Sequence, residues 1–341
     1  MSGPIDAHAH VIVPEIVRGP GQEDWRPRVR REGGGSAVEF GGRTIRSMVN
    51  EPVDVETILA IEARAGVDRV VLCPWVPLLY PQAEARACLE RCRIQNQALA
   101  AAVRARPDRI AALGAVPLQD PELAADELVT LRSEGTLAGV EVTASVGGVY
   151  LGDPRFEPFW DAADATGALV FIHPTTRGFG EEVFGEYYLW NTVGNPLETT
   201  IAAAHMVGSG LLERHPGLRV LLAHGGGAIL ALRGRLHHAH GFQPQARERL
   251  RESPLDSIRR FHFDTVTHDR ELLRAVIDWT GPERVLLGSD YPFDMADPDP
   301  VATVRALGLD PGAEGAVLAG NADRLLGVAA PIAAGNGGPQ P

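Results

Sequence analysis

The sequence predicts an α/β protein with the (β/α)8, or TIM-barrel, fold and a small hairpin or loop region inserted after the first strand. Eight short apolar segments recur along the 341 residues, and most are followed by a longer amphipathic segment. This alternation is typical of a parallel barrel. Polar residues also end several of the apolar segments. No glycine-rich dinucleotide-binding motif follows the first one, which disfavours the competing doubly wound sheet.

The individual elements follow from short β-branched or apolar runs and from longer stretches with helical spacing. The predicted strands are Ile5–His8, Val67–Cys73, Ile110–Val116, Gly139–Thr143, Leu169–His173, Arg219–His224, Phe261–Thr265 and Arg284–Ser289. The predicted helices are Pro81–Ala105, Pro121–Ser133, Pro154–Thr166, Leu197–Arg214, Ala228–His240, Asp269–Trp279 and Pro300–Leu307. One continuous alternation of this kind predicts a single barrel domain over residues 1–327.

Two segments interrupt the alternation. Residues 14–52 are polar and contain "RREGGGSAVEFGGRTIRSM", in which a turn at the glycines would make a small hairpin between the first strand and its helix. Residues 328–341 are rich in Gly, Pro and Ala. Such a composition cannot bury enough apolar surface to order itself, so we expect a disordered tail.

Composition excludes several classes of function. The net charge of −12 disfavours a nucleic-acid partner. No apolar run approaches the roughly 18 residues of a membrane span, and no signal-peptide pattern precedes "IDAHAH", so we expect a cytoplasmic protein. The three cysteines, Cys73, Cys88 and Cys92, contain no Cys-x-x-Cys pair and fit small core residues. The chain has no lysine, which excludes lysine-based catalysis.

The tripeptide His-Ala-His occurs twice, in different predicted elements. His8 and His10 end the first strand, where residues two apart face the same side and would point into the barrel mouth. Two imidazoles there can bind one metal ion, although two chance histidines are the alternative. His238 and His240 lie on a helix, where they diverge by about 200°. We assign them, with His237, to a solvated or interface surface.

Three further polar residues follow buried strands. His173 ends "ALVFIH", His224 ends "LRVLLAH" and Asp290 ends "RVLLGSD". Taken singly, each also fits a polar residue in a turn. Together with His8 and His10 they suit a divalent ion such as zinc in a site with an open water position. The remaining histidines are weaker candidates: His205 and His215 fit structural roles, His262 alternates with Asp264 on the seventh strand, and His268 follows that strand.

These residues resemble those of the amidohydrolase superfamily, and in particular its aminocarboxymuconate-semialdehyde decarboxylase-like family. The matching segments are "IDAHAH", "GAVPLQDPELAADEL", "FIHP", "LLAHGGG", "LLGSDYPFD" and "GNADRLLG", which span Ile5 to about Gly327. The resemblance implies one metal ion, usually zinc and sometimes manganese, bound by His8, His10, His173 and Asp290. His224 would be the catalytic base, and no organic cofactor is implied.

The resemblance also bears on a second metal and on the substrate. Binuclear relatives often use a carboxylated lysine, which this chain cannot supply, although Glu141 on the fourth strand is an alternative bridge. Arg43 in "FGGRTIRSM" resembles the carboxylate-binding arginine of the family, with Arg46 as a competitor. Trp190 would cover the mouth and Phe293 would line it; ordinary loop packing is the alternative for both aromatic residues.

The expected function is therefore a metal-dependent, non-oxidative decarboxylase of an aromatic, heteroaromatic or conjugated unsaturated carboxylic acid. His224 would act as base or help to transfer a proton to the carbon that loses carbon dioxide, and Asp290 would share or relay that proton. A metal-dependent hydrolase or hydratase that opens a lactone, amide or ester would use the same residues. A barrel that binds a ligand without turnover is the third hypothesis. The family resemblance also implies a homodimer.

Overall fold

The structure is a computed structural model that describes residues 3–20, 22–33, 35–175 and 179–327. Its strands are β1 (Ile5–Val11), β2 (Arg28–Glu32), β3 (Gly35–Phe40), β4 (Arg43–Met48), β5 (Arg69–Pro74), β6 (Ile110–Gly114), β7 (Gly139–Thr143), β8 (Ser145–Val146), β9 (Val149–Tyr150), β10 (Leu169–His173), β11 (Arg219–Leu222), β12 (His262–Asp264) and β13 (Val285–Leu286). The predicted tail, residues 328–341, lies outside the described residues.

The α-helices lie mostly between the strands of the main sheet. They are α1 (Val55–Arg64), α2 (Ala85–Ala105), α3 (Pro121–Glu134), α4 (Glu157–Thr166), α5 (Asn195–Gly208), α6 (Leu211–Arg214), α7 (Ile229–Phe242), α8 (Pro254–Ile258), α9 (Arg270–Thr280), α10 (Pro300–Arg305), α11 (Pro311–Gly315) and α12 (Asn321–Leu326). None of these helices is both long and apolar enough to span a membrane.

Eight parallel strands form the barrel, in the order β1-β5-β6-β7-β10-β11-β12-β13. The first and last strands close it, because the backbone N–H of Ala7 donates to Leu287 O at 2.8 Å and that of Asp290 donates to His8 O at 2.8 Å. The predicted TIM-barrel fold is therefore confirmed. Closure also brings the end of the first strand beside the end of the last one.

The predicted and observed strands differ mainly at their ends. The fourth and fifth predicted strands match β7 and β10 residue for residue. The predicted eighth strand, Arg284–Ser289, is reduced to the two residues of β13. Beyond β13 the chain continues along β1 through single backbone hydrogen bonds, which close the barrel without extending the regular ladder.

Several helical regions also differ from the prediction, and the short helices α8, α11 and α12 lie outside the predicted helices. The predicted helix Leu197–Arg214 is interrupted between α5 and α6 by Gly210, whose φ of 69° is incompatible with a continuous right-handed helix. The helix α1 is absent from the predicted helices. Its buried residues Ile58, Leu59 and Glu62 nevertheless have helical spacing.

The insertion after β1 contains a three-stranded antiparallel sheet, β2-β3-β4, where the sequence predicts a hairpin. The hairpin corresponds to β3 and β4, and β2 adds to its edge. The backbone N–H of Asp294 donates to Ser47 O at 2.7 Å, and Met48 forms a β-bridge with Phe293. These contacts attach the inserted sheet to the loop that follows the eighth barrel strand.

The apolar core has two layers. Inside the barrel, buried residues such as Ile5, Leu113 and Phe171 pack on one another, and Leu325 of α12 belongs to the same cluster. A second and larger cluster fills the space between the strands and the surrounding helices. The barrel is therefore packed along its axis, and the polar residues at the carboxyl ends of its strands project into the mouth.

Candidate metal centre and active site

Three histidines in the mouth have one ring nitrogen fixed by a hydrogen-bond acceptor. His8 Nδ1 donates to Asp264 Oδ2 at 2.6 Å, His10 Nδ1 to Pro74 O at 3.1 Å and His173 Nδ1 to Pro174 O at 3.0 Å. A carboxylate or a carbonyl oxygen can only accept, so the proton of each neutral ring lies on Nδ1. The lone pair of each Nε2 is therefore available to a metal ion.

These nitrogens approach one another and the carboxylate of Asp290. His8 Nε2 lies 3.1 Å from His10 Nε2, and Asp290 Oδ1 lies 3.2 Å from His8 Nε2 and 3.4 Å from His10 Nε2. The ring of His173 lies 4.9 Å from that of His10, between centroids. Donor atoms that share an ion at about 2.0–2.1 Å are about 2.9–3.4 Å apart, so the observed spacing fits one ion.

Two buried atoms of this group have no hydrogen-bond partner: His173 Nε2 and Asp290 Oδ1. A buried polar atom without a partner is costly, and native structures contain few of them. Both atoms are acceptors at the place where the other donors converge. A cation bound there would satisfy both, so the residues fit the metal that the sequence predicts.

His224 belongs to the same group of side chains. It lies beside Oδ2 of Asp290, whereas His8 and His10 lie beside Oδ1. His224 Nε2 lies 3.4 Å from Asp290 Oδ2, and 15% of the side chain is exposed, which makes it more accessible than His8 or His10. Its φ of 56° is left-handed and begins a turn completed by three glycines of positive φ. The turn after β11 therefore carries the ring into the mouth.

The donor atoms that all lie within 4.8 Å of one another belong to His8, His173, His224 and Asp290. This set contains His224 in place of His10, and so differs by one residue from the quartet that the resemblance implies. His10 is nevertheless adjacent, through its Nε2 atom. The structure thus brings all five predicted residues together, while their division into ligands and base stays a prediction.

The electrostatics of the mouth couple Asp290 to the histidines. Burial alone would raise the pKa of Asp290, but the charge of nearby His8 and the close approach of His10 and His224 hold it well below its usual range. Burial likewise opposes protonation of His8, yet Asp290 and Asp264 outweigh it and raise the pKa of His8 to about 10. Asp290 is therefore an anion, as a metal ligand must be.

Glu141 lies at the edge of the group, on β7. Its Oε1 atom is 3.6 Å from His10 Nδ1, and neither of its carboxyl oxygens has a hydrogen-bond partner. Burial raises the pKa of Glu141 well above its usual range and so favours the neutral form of the carboxyl group. Among residues 3–20, 22–33, 35–175 and 179–327, the donor set with metal-site spacing does not include Glu141.

Asp264 is a functional residue that the sequence reasoning does not select. It ends β12, is fully buried, and accepts hydrogen bonds from His8 Nδ1 and from the backbone N–H of His224 and Gly225. The available signal is its position after the apolar run of the seventh strand, which is the criterion that selects Asp290. Its partner His8 lies 256 residues earlier, which local spacing does not reveal.

The other sequence candidates lie outside the histidine group. His262 is at the start of β12, at the opposite end from Asp264, where burial and Arg284 lower the pKa of its ring to about 3. His268 is exposed, with a φ of 53°. His237 and His238 are exposed on α7, as predicted, but His240 is half-buried and its Nε2 atom lies 2.9 Å from Leu250 O.

Of the residues proposed to bind substrate, Phe293 contacts the histidine group, and the others contact different residues. The ring of Phe293 lies 5.4 Å from that of His10. Arg43 begins β4 and pairs with Glu181 at 3.0 Å, with 57% of its side chain exposed. Trp190 packs edge-on against Tyr188 at 5.0 Å, and Tyr188 donates to Asp294 at 3.0 Å. Arg46 instead pairs with Glu32 at 3.0 Å on the inserted sheet.

The fold and this site define a class of barrel with a histidine–aspartate metal centre, and comparison with known proteins identifies the class. The sequence model of the amidohydrolase family matches residues 5–328. The chain belongs to the amidohydrolase family, in the branch that contains the aminocarboxymuconate-semialdehyde decarboxylases.

Several relatives with assigned activities are decarboxylases. The chain is 29% identical over 308 residues to 2-amino-3-carboxymuconate-6-semialdehyde decarboxylase of Dictyostelium discoideum, covering 89% of this chain and 85% of the relative. The crystal structure of 5-carboxyvanillate decarboxylase of Sphingomonas paucimobilis superposes with a TM-score of 0.83 at 26% identity, covering 96% of this chain and 100% of the other.

A third protein has the same fold and holds a metal. It is the dihydroxybenzoic acid decarboxylase of Polaromonas sp. JS666, which was crystallised with manganese and the inhibitor 2-nitroresorcinol. It superposes with a TM-score of 0.79 at 21% identity, covering 96% of this chain and 97% of the other. The similarity extends over nearly the whole barrel of both proteins.

Proposed function

We propose that this protein is a metal-dependent, non-oxidative decarboxylase of an aromatic, heteroaromatic or conjugated unsaturated carboxylic acid. The observation that carries the proposal is the convergence of His8, His10 and His173 on Asp290, with each Nδ1–H held by an acceptor. The decarboxylase activity of the relatives supports the reaction class. Family membership alone would leave hydrolysis equally open, since the fold hosts several reactions.

The metal would be held by the Nε2 atoms of His8, His10 and His173 and by Asp290 Oδ1. Three imidazoles and a carboxylate suit zinc, and manganese is the alternative. The bound ion would supply positive charge that orients and polarises an oxygen of the substrate. A single ion is favoured because, within the part of the chain that the structure describes, Glu141 lies outside the group of donor atoms with metal-site spacing, and because the chain has no lysine to carboxylate.

His224 and Asp290 would manage the proton of the reaction. Decarboxylation replaces the carbon–carbon bond to the carboxylate with a carbon–hydrogen bond, so one proton is consumed for each carbon dioxide released. His224 is partly exposed and meets Asp290 Oδ2 at 3.4 Å, which lets the pair exchange a proton. We assign the transfer to the substrate carbon to His224, with Asp290 stabilising the protonated ring.

Residues at the rim would select the substrate. Phe293, beside His10, offers an apolar face to a flat conjugated ring. Arg43 now binds the carboxylate of Glu181, and the carboxylate of a substrate presents the same group to the guanidinium. Trp190 would cover the mouth from the segment after β10. Arg43 is preferred to Arg46, because Arg46 pairs with Glu32 within the inserted sheet, whereas Glu181, the partner of Arg43, lies in the segment after β10.

The test is to incubate the metal-loaded protein with aromatic hydroxy acids and lactones in deuterium oxide. We expect carbon dioxide release and, by nuclear magnetic resonance, one deuterium at the carbon that carried the carboxylate. Protein treated with a chelator is the control and should be inactive. Ring opening of the lactones without carbon dioxide release from any acid would overturn the decarboxylase assignment in favour of the hydrolase.

We infer two further properties from the family resemblance: a homodimer and a cytoplasmic location. The helix α7 presents Leu232 and Phe242 to solvent, with 39% and 71% of their surface exposed, and is the proposed contact surface. Light scattering after size-exclusion chromatography tests this. A dimeric wild type and a monomeric Phe242→Asp variant are expected; an equally dimeric variant would place the interface elsewhere.

A further inference from the structure

The buried carboxylate of Asp264 accepts hydrogen bonds on both of its oxygens. Oδ2 accepts from His8 Nδ1 at 2.6 Å and from the backbone N–H of His224 at 2.9 Å. Oδ1 accepts from the backbone N–H of Gly225 at 2.7 Å and of Val266 at 3.1 Å. Four donors therefore surround one carboxylate that has no exposed surface.

These donors belong to two separate parts of the proposed active site. His8 is a proposed metal ligand on the first strand, whereas His224 is the proposed proton-transfer residue in the turn after the sixth. The turn has left-handed φ values of 56° at His224 and 61° at Gly225, which leave their N–H groups pointing to one side. Asp264 lies at that side and accepts from both.

We propose that Asp264 is the positioning residue that sets the tautomer of His8 and, through the same carboxylate, holds the turn that carries His224. This inference rests on the proposed metal site. With Asp264 as acceptor, the His8 proton stays on Nδ1 and the Nε2 lone pair faces the metal position. Carboxylates that accept from a ligand histidine orient the ring and raise its basicity as a ligand.

The substitution Asp264→Asn gives a specific chemical prediction. An amide has one acceptor oxygen, so its NH2 group must face some of the four donors. If the amide oxygen of the variant side chain still accepts from the N–H groups of Gly225 and Val266, its NH2 group faces His8. That NH2 group can only donate a hydrogen bond to Nδ1 of His8. The His8 proton then moves to Nε2, which is the nitrogen that should bind the metal.

The matched control is Glu127→Gln, which makes the same acid-to-amide change at another buried carboxylate. Glu127 is 3% exposed and bonds Arg93 at 2.9 Å between α2 and α3, away from the mouth. Both variants remove a buried negative charge that is hydrogen-bonded, and both should lower the melting temperature of the metal-free protein. Only Asp264→Asn should change the site.

Two readouts test the proposal without relying on turnover. The pKa of His8 is raised to about 10 in the metal-free protein, so its ring must first lose one of two protons. Long-range proton–nitrogen spectra of histidine-labelled, metal-free protein, recorded as the pH is raised until the ring is neutral, report which nitrogen of His8 keeps the proton. A competition titration with a chromophoric chelator gives the affinity for zinc. We expect the tautomer of His8 to switch in Asp264→Asn and the affinity for zinc to fall about 10- to 100-fold, with neither change in Glu127→Gln.

A third readout separates the two roles of Asp264. At saturating zinc, kcat for an accepted substrate should still fall about 10-fold or more in Asp264→Asn while KM changes little, because the turn that carries His224 is loosened. An unchanged tautomer together with unchanged zinc affinity would overturn the positioning role of Asp264. The decarboxylase proposal would survive that result, because it stands on carbon dioxide release by the wild type.

Discussion

At the scale of single residues, the distinction between a metal ligand and a proton-transfer group depends on which atom of Asp290 each histidine meets. His8 and His10 approach Oδ1, whereas His224 approaches Oδ2. A carboxylate that uses one oxygen for a metal has the other free to pair with a protonated imidazole. Asp290 therefore links the two functions, and the assignment of His224 can be tested by substitution.

We expect His224→Asn to retain one metal ion and to lose turnover. The three remaining nitrogens and Asp290 Oδ1 suffice to bind the ion, whereas removal of a general acid–base group costs about 100- to 10,000-fold in kcat. Metal content by elemental analysis and kcat by product release are the measurements. His205→Asn, at an exposed position on α5, is the control. Loss of the metal from the His224 variant would make His224 a ligand, as its place in the 4.8 Å group allows.

Sequence reasoning succeeds at this scale where a residue follows a buried strand and fails where its role depends on a distant partner. His173, His224 and Asp290 each follow an apolar run, and the structure places all three in one mouth. Asp264 satisfies the same criterion, but its function depends on contacts with His8 and His224, which come from other strands. Spacing along one strand carries no information about those contacts.

At the scale of secondary-structure elements, burial makes the presence of a strand predictable, although the ends of the buried strands β1, β6 and β12 differ from the prediction. Every residue of β7 and β10 is buried, and these two strands match their predicted bounds. The strand β2 lacks this signal, because four of its five residues are exposed. Its exposed, charged side chains are typical of a loop. The chain is nevertheless extended, because its backbone pairs with β3.

The helix α5 carries a buried glutamate that connects it to the segment after β7. Ser145 Oγ donates to Glu198 Oε1 at 3.0 Å, and only 1% of Glu198 is exposed. Burial raises the pKa of Glu198 to about 7, from an ordinary value of 4.5, against the hydrogen bond from Ser145. The side chain of Glu198 should therefore lose its proton and become negatively charged within the physiological range of pH.

We expect Glu198 to make the protein less stable as pH rises from about 4.5 to about 7. In this interval the native chain keeps a proton that the unfolded chain has lost, so the free energy of unfolding falls with pH and then levels off. The loss is on the order of 3 kcal/mol. Glu198→Gln should remove it, and should melt at a higher temperature than the wild type at pH 8.

Melting temperatures measured from pH 4 to pH 8 test this expectation. The difference between Glu198→Gln and the wild type should grow between pH 4.5 and pH 7. Glu248→Gln, at an exposed position, should show no such trend. A constant difference across the whole range would mean that Glu198 is already ionised at low pH in the native protein.

At the scale of the whole molecule, barrel closure assembles the site. His8 and Asp290 belong to opposite ends of the sequence, and the backbone hydrogen bond from Asp290 N–H to His8 O brings them together. The alternation of strands and helices is enough to predict that closure, and hence the mouth. The substrate is not predictable in the same way, because the rim is built from the inserted sheet and loops, whose packing no periodic pattern encodes.

We propose that one metal ion per chain at this site is sufficient for decarboxylation, and this claim can be tested by titration. Chelated protein is titrated with zinc, and separately with manganese, while carbon dioxide release from an accepted aromatic acid is followed. We predict that activity rises linearly and reaches its plateau at one equivalent per chain. A plateau at two equivalents, or carbon dioxide release by the chelated protein, would contradict the claim.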